Sequence, residues 1–345
     1  MLTIAEKKKL SVLVVDDFPN MRRTIKNMLH SLGYFKITEA GDGDEAIETL
    51  DRMYNSPSRV QFVVLDWNMP RVHGIDVLKF IKNDPRFMLF TSVLMVTAEN
   101  YAEEIIEAAE DNVDGYIIKP FVAKTLEDKI AKILEKKNNP TKMEKMFREG
   151  IVLANKREYA TAKAKFEELL AANPNSPRAL RELGKICTVE ENFPKAEECF
   201  RKALEINKDY TKAMENLATL YVKMGKEDEA IKVLEGAVKI SPRNGDRLLF
   251  IGSLYMKKGK YREIIELYEA AHRLGLSMIR YDLDVILAAA NLELKEVARA
   301  REIMQNAVGN AVDKEKVKGE LTKALDASTI SEPDKQELRT TLASL

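Results

Sequence analysis

Cysteine is scarce in this chain of 345 residues: there are two, Cys187 and Cys199. Two thiols cannot build a disulfide framework, and both read as small apolar packing residues of a reducing compartment. Histidine numbers three, and His30, His73 and His272 show no ligand spacing and read as surface residues. Long apolar runs are missing as well. The run Leu10–Val15 falls far short of the ~20 residues that span a bilayer. It ends in Asp16-Asp17 without a cleavage site, so it is no secretion signal. These absences argue for a cytoplasmic protein without a membrane role. Net charge is absent too, with 55 acidic and 55 basic residues. Residues 1–137 hold 19 basic and 22 acidic side chains and the remainder 36 and 33, an asymmetry too small to name a partner. No strong field points to nucleic acid, and no helix-turn-helix or basic recognition helix is visible.

What is present changes character near residue 138. Before it, short β-branched apolar runs (11–15, 36–40, 62–65, 93–96 and 116–119) alternate with amphipathic segments at 20–32, 44–53, 75–82, 102–110 and 124–137. This alternation predicts a doubly wound α/β domain with a five-stranded parallel sheet over 10–137. The runs are apolar almost throughout, as expected for strands covered on both faces. Asn138-Asn139-Pro140 breaks the pattern and defines a linker at 138–142. Thr141 and Glu144 could cap the helix that follows. The stretch Tyr54–Arg59 reads as a small surface insertion.

The chemistry collects at strand ends. Asp16 and Asp17 follow the first run, Asp66 the third and Thr97 the fourth, and Lys119 ends the fifth. Parallel sheets bind ligands beyond the carboxyl ends of their strands. Three carboxylates, a hydroxyl and an ammonium therefore share one pocket. Clustered carboxylates repel unless a cation intervenes, and a hard oxygen-seeking ion such as Mg²⁺ answers this. A carboxylate can also act as a nucleophile toward phosphorus, with Lys119 and Thr97 meeting the added anionic oxygens.

At these positions the sequence resembles the receiver domains of bacterial response regulators, especially single-domain chemotaxis receivers. The matching pieces are Val14-Val15-Asp16-Asp17, Met21-Arg22-Arg23-Thr24, Asp66-Trp67-Asn68-Met69-Pro70, Gly74, Thr97-Ala98-Glu99 and Gly115-Tyr116-Ile117-Ile118-Lys119-Pro120-Phe121. The resemblance implies that Asp66 accepts a phosphoryl group from a sensor histidine kinase. It implies Mg²⁺ held by Asp17, Asp66 and the Asn68 backbone carbonyl, with Asp16 acting through water. Lys119 and Thr97 would bind the phosphoryl oxygens, Tyr116 would be a switch aromatic, and Pro120 would follow a cis peptide bond. Asn68 and Glu99 imply a short-lived phosphoryl group. Trp67 reads equally as rim packing or as a control on phosphate access. Asp111-Asn112-Val113 departs from the family's glycine-containing turn.

The second part is periodic. Gly150, Gly184, Ala218 and Gly252 recur at 34 residues, as do Phe166, Phe200, Leu234 and Tyr268, and as do Ala162, Ala196, Ala230 and the divergent Ile264. This resembles the tetratricopeptide repeat, a helical solenoid, with units from about 143, 177, 211 and 245. A fifth begins near 281 after a two-residue insertion, giving about five units over 143–310. Capping helices are expected over 311–345, with Ser331 and Pro333 at a helix start. A small residue lets the helices of a unit approach, and the aromatic is expected to fill space toward the next unit. Arg178, Arg181, Lys185 and Lys212 would line a groove for an acidic segment of an unknown protein or peptide.

The combined expectation is a signal-controlled protein-binding module rather than an enzyme. One alternative is a constitutive scaffold whose receiver serves for docking or dimerisation. Another is an aspartyl phosphohydrolase, but Asn68 stands where that chemistry needs a second Asp.

Overall fold

Alternation along the strands decides how the first part of the chain packs. In a strand, successive side chains face opposite sides. The strands are β1 (Ser11–Val15), β2 (Lys36–Ala40), β3 (Phe62–Asp66), β4 (Ser92–Ala98) and β5 (Gly115–Lys119). All pair in parallel, in the order β2-β1-β3-β4-β5. Leu13, Val15, Val63, Leu65, Val93 and Met95 point to one side, where Ala46 and Leu50 of the helix Gly43–Met53 and Val77, Leu78 and Ile81 of the helix Gly74–Asn83 cover them. Val12, Val14, Phe62, Val64, Leu94 and Val96 point to the other, beneath Ile25 and Leu29 of the helix Pro19–Ser31 and Leu126, Ile130 and Ile133 of the helix Ala123–Asn138. Burying each such large side chain contributes roughly 1.5–3 kcal/mol. These two layers hold the strand ends that carry the polar residues.

The computed structural model describes residues 3–345 other than 70–71, 85, 89, 99–112, 243, 274–280 and 312. The expected helix at 102–110, Pro70, Glu99, Asp111 and Asn112 lie outside the described residues. By compactness the chain divides into Met1–Ile186 and Cys187–Leu345.

A short helix, Ile4–Lys9, precedes β1 and is capped reciprocally by Thr3 and Glu6. Lys7 ties it down, donating to the Leu32 carbonyl at 3.1 Å and pairing with Glu127 at 2.6 Å. The stretch 54–59 is anchored to the domain. Tyr54 packs edge-on against Phe87, and the Arg59 guanidinium lies over the rings of Tyr54 and Phe90 at 4.6 and 4.4 Å.

Helices occupy the remainder. Thr141 accepts from the Glu144 amide at the start of the helix Lys142–Asn155. Helix pairs run Lys142–Asn155 with Tyr159–Ala172, Pro177–Val189 with Phe193–Ile206, Thr211–Lys223 with Glu227–Ile240, Gly245–Lys257 with Tyr261–Arg273, and Tyr281–Glu293 with Val297–Asn310. Lys314–Ala327 and Glu332–Ser344 close the chain, the latter capped by Ser331 with proline in its first turn. Between the members of each pair one residue takes a left-handed backbone: Arg157, Glu191, Gly225, Gly259 and Lys295. The first four are 34 apart, and the step of 36 to Lys295 locates the insertion before the fifth unit.

At Gly150 and Gly252 the small residue lets the helices of a unit approach, and the aromatic expected toward the next unit closes on its own glycine. A Cβ on Gly150 would stand 2.8 Å from two atoms of the Phe166 ring. The ring thus closes on its own unit, where it also meets Phe147 edge-on at 5.8 Å. Tyr268 does the same at Gly252, its hydroxyl donating to the Leu248 carbonyl at 3.2 Å. Arg247 is the other buried feature here. Its guanidinium lies 2.9 Å from Glu215 and donates to the Ala237 and Ser241 carbonyls at 3.2 and 2.8 Å. Among the described residues no helix is long and apolar enough to cross a membrane.

Candidate phosphoacceptor site

The sheet brings its acidic residues to one edge because β1 and β3 are neighbours in register. Val15 pairs with Leu65, so Asp16 and Asp66 end adjacent strands. Asp66 pairs with Val96, and Thr97 follows on β4. Ala98 pairs with Lys119, which completes the row. Oxygens of Asp16, Asp17 and Asp66 lie within 4.8 Å of one another. The Lys119 ammonium reaches in from β5, 2.6 Å from Asp66 Oδ1 and 3.1 Å from Asp16 Oδ2. Asp16 Oδ1 accepts from the Phe18 amide at 2.9 Å.

Electrostatics follow from this crowding. Burial pushes the Asp66 carboxyl up to about 6; Lys119 opposes the shift, and Asp16 and Asp17 add to it. Burial pulls the Lys119 ammonium down, but Asp66 and Asp16 outweigh it and hold the group above its ordinary range. A single ammonium cannot balance three carboxylates, and Asp17 Oδ1 is buried with no hydrogen-bond partner. An orphaned carboxylate oxygen facing shared acids is the donor set of a hard divalent cation. The residues present therefore fit Mg²⁺.

The other expected members sit close by. Thr97 is buried at the carboxyl end of β4. Asn68 follows Asp66 by two residues and is exposed. Tyr116 on β5 is 37 % exposed and turned out toward solvent, where Lys129 Nζ stands 4.9 Å from its ring. The Lys119-Pro120 peptide bond is cis. Trp67 is buried in the same apolar cluster as Met69 and Ile75, as the packing alternative expects. His73 is half-buried at the start of the helix Gly74–Asn83, and burial lowers its pKa.

Two residues of the site carry no role in the sequence reading. Gly74 is one. A Cβ there would stand 2.0 Å from the Asp66 carbonyl oxygen, so only glycine lets this helix seat against the end of β3. The second is Arg22, whose Nη1 donates to the Asp16 carbonyl at 2.6 Å. Both lie inside matched motifs, which was their only signal.

The basic residues expected to line a groove each face a carboxylate. Arg178 lies 3.7 Å from Glu144 and over the Phe147 ring at 4.2 Å. Arg181 pairs with the buried Glu182, and Lys185 reaches the same carboxylate at 2.7 Å. Lys212 lies 3.7 Å from Glu215.

Comparison with known proteins agrees with this geometry. The model of the response regulator receiver domain matches residues 12–131. Tetratricopeptide repeat models match 147–211, 190–249 and 248–277. Chemotaxis protein CheY-3 of Vibrio cholerae is 47 % identical over 129 residues, covering 37 % of this chain and 95 % of that protein. Chemotaxis protein CheY of Pseudomonas aeruginosa is 46 % identical over 129 residues, covering 37 % and 99 %. Among solved structures, chemotaxis protein CheY4 of Vibrio cholerae is 28 % identical, covering 36 % of this chain and 98 % of that one, with a TM-score of 0.33. The chain belongs to the response-regulator receiver family, with tetratricopeptide repeats following its receiver domain.

Proposed function

We propose that the chain is a phosphorylation-controlled protein-binding regulator of the cytoplasm, with Asp66 as the acceptor. The observation that carries this reading is the Asp66 carboxylate, held 2.6 Å from Lys119 inside a three-carboxylate cluster that has one orphaned oxygen. A carboxylate oxygen of Asp66 attacks the phosphorus of a phosphohistidine on a kinase. The new O–P bond forms as the P–N bond breaks, and the imidazole leaves with the bonding pair and takes a proton. Lys119 offsets the negative charge that arrives on the phosphoryl oxygens, and the Thr97 hydroxyl donates to one of them. Asp17, Asp66 and the Asn68 carbonyl would hold Mg²⁺, with Asp16 acting through water, and the ion would supply charge neutralisation.

Phosphorylation brings roughly 1.5–2 negative charges to the edge of the sheet. Tyr116, outward on the same strand as Lys119, would turn inward once Thr97 engages the phosphoryl group. The repeats supply the output, a surface for a protein segment. The chain itself turns over no substrate beyond its own acylphosphate.

Radiolabelled acetyl phosphate tests the reading. The wild type takes up label with Mg²⁺ and loses it with a chelator, and Asp66→Asn takes up none. Label retained on Asp66→Asn, or label indifferent to chelation, refutes the reading. A pull-down on the full chain with and without acetyl phosphate then reads the output.

A further inference from the structure

Arg22 does not meet the phosphoryl group in the reading above, yet it touches the frame of the acid pair. It lies in the first turns of the helix Pro19–Ser31. Long side chains on a helix lean back toward its N-terminus. That lean brings the guanidinium beneath the turn that leaves β1. There Nη1 donates to the Asp16 carbonyl at 2.6 Å. Nε lies 4.0 Å from Glu39 on β2, a carboxylate that also holds Lys26 at 2.5 Å. A Cβ on Gly41 would stand 3.6 Å from Nη1. The guanidinium therefore fills the wedge between the turns after β1 and β2.

The Asp16 carbonyl belongs to the peptide plane that joins Asp16 to Asp17. Fixing its oxygen fixes the direction in which Asp17 departs. Asp17 is the residue with the buried, unpartnered oxygen. We propose that Arg22 is a positioning residue for the cation site: it holds the Asp16–Asp17 peptide so that Asp17 stays grouped with Asp16 and Asp66. This inference rests on the Mg²⁺ reading of those acids. A forked, planar donor suits the task, because it reaches one carbonyl and one carboxylate at once.

The sign of one measurement separates this from plain electrostatics. Arg22 is a cation near a cation site. If charge were its whole effect, removing it would tighten Mg²⁺ binding. If it positions Asp17, removing it weakens binding, and loss of an outer-shell partner typically costs about 10–100-fold in metal affinity.

The test is a Mg²⁺ titration of the full chain followed by Trp67 fluorescence. Trp67 is the only tryptophan and neighbours Asp66. The wild type gives a saturable response. Arg22→Gln is expected to bind Mg²⁺ about tenfold more weakly. Unchanged or tighter Mg²⁺ binding overturns the proposal, whatever happens to the melting temperature. Should Arg22→Gln melt below the assay temperature, Arg22→Lys is titrated instead. It lacks the fork and must bind at least about threefold more weakly. A wild type with no saturable response removes the Mg²⁺ reading itself and this inference with it, an outcome distinct from a variant that matches the wild type.

Discussion

Replacing Asp66 by Asn should stabilise the metal-free protein, although it abolishes the proposed acceptor. The carboxyl is 5 % exposed, and burial lifts its pKa from 3.8 to about 6. That is roughly two pK steps at about 1.36 kcal/mol each, or about 3 kcal/mol of strain at neutral pH. The unfolded chain ionises this carboxyl at lower pH than the folded one does. Below about pH 4 both states hold the proton, and the cost is nil. Between about pH 4 and 6 the native state keeps a proton that the unfolded state has lost, so stability falls as pH rises. Above that window the cost is constant. Asn never charges and can still meet Lys119. Urea unfolding with a chelator at about pH 7.5, followed through Trp67 so that the receiver alone is read, should show the variant more stable by about 2–3 kcal/mol. The gap should close as pH falls toward 4. Mg²⁺ should narrow or reverse it, because the ion stabilises only the form that binds it. A variant equal to or weaker than the wild type in chelator refutes the reasoning.

Two further predictions concern the repeats. Arg247→Ala leaves two buried carbonyls without their donor and the Glu215 carboxylate to Lys212, and should cost about 3 kcal/mol in thermal melting, largely insensitive to salt; a loss under about 1 kcal/mol contradicts this. Gly150→Ala drives a methyl into the fully buried Phe166 ring and should cost about 1–3 kcal/mol, recovered when Phe166→Leu makes room; an unchanged melting temperature counts against the packing described.

Most of the receiver fold was legible because its inner strands β1 and β3 are covered on both faces. Such strands are apolar runs bounded by turns, and β1 falls where its run lies; the edge strand β2, mostly half-buried, also keeps its expected bounds. β3 continues one residue, to Asp66, and β4 extends to Ser92–Ala98, since pairing carries polar residues that composition assigns to loops. The acidic pocket was legible for a topological reason: parallel strands deliver the residues after them to one edge. The helix Ile4–Lys9 escaped notice, though Thr3 and Glu6 spelled out its capping box. Its anchor, Lys7 to Glu127, spans 120 residues and leaves no local trace. Arg247 was illegible for the same reason. An arginine in a repeat reads as surface, and only the distant Glu215 and two carbonyls make its burial tolerable. The direction of Phe166 was misjudged because period alone cannot say which neighbour a ring meets. Of the groove cations Arg178 meets a distant acid, Glu144; Arg181, Lys185 and Lys212 pair with Glu182 and Glu215 one to three residues away, a compensation the sequence spacing already held.

The left-handed residues that divide each helix pair also mark natural seams. Three of the five, Arg157, Glu191 and Lys295, carry side chains that tolerate the conformation poorly, so the hairpin around them sets the backbone rather than the residue itself. A seam defined by geometry is indifferent to which amino acid fills it. A chain cut at one seam and rejoined at the next would lose one whole period and bring the first helix of one unit against the second helix of another in the same hairpin, so the side-chain pairs that cross between units, such as Arg247 with Glu215, decide which modules can be exchanged.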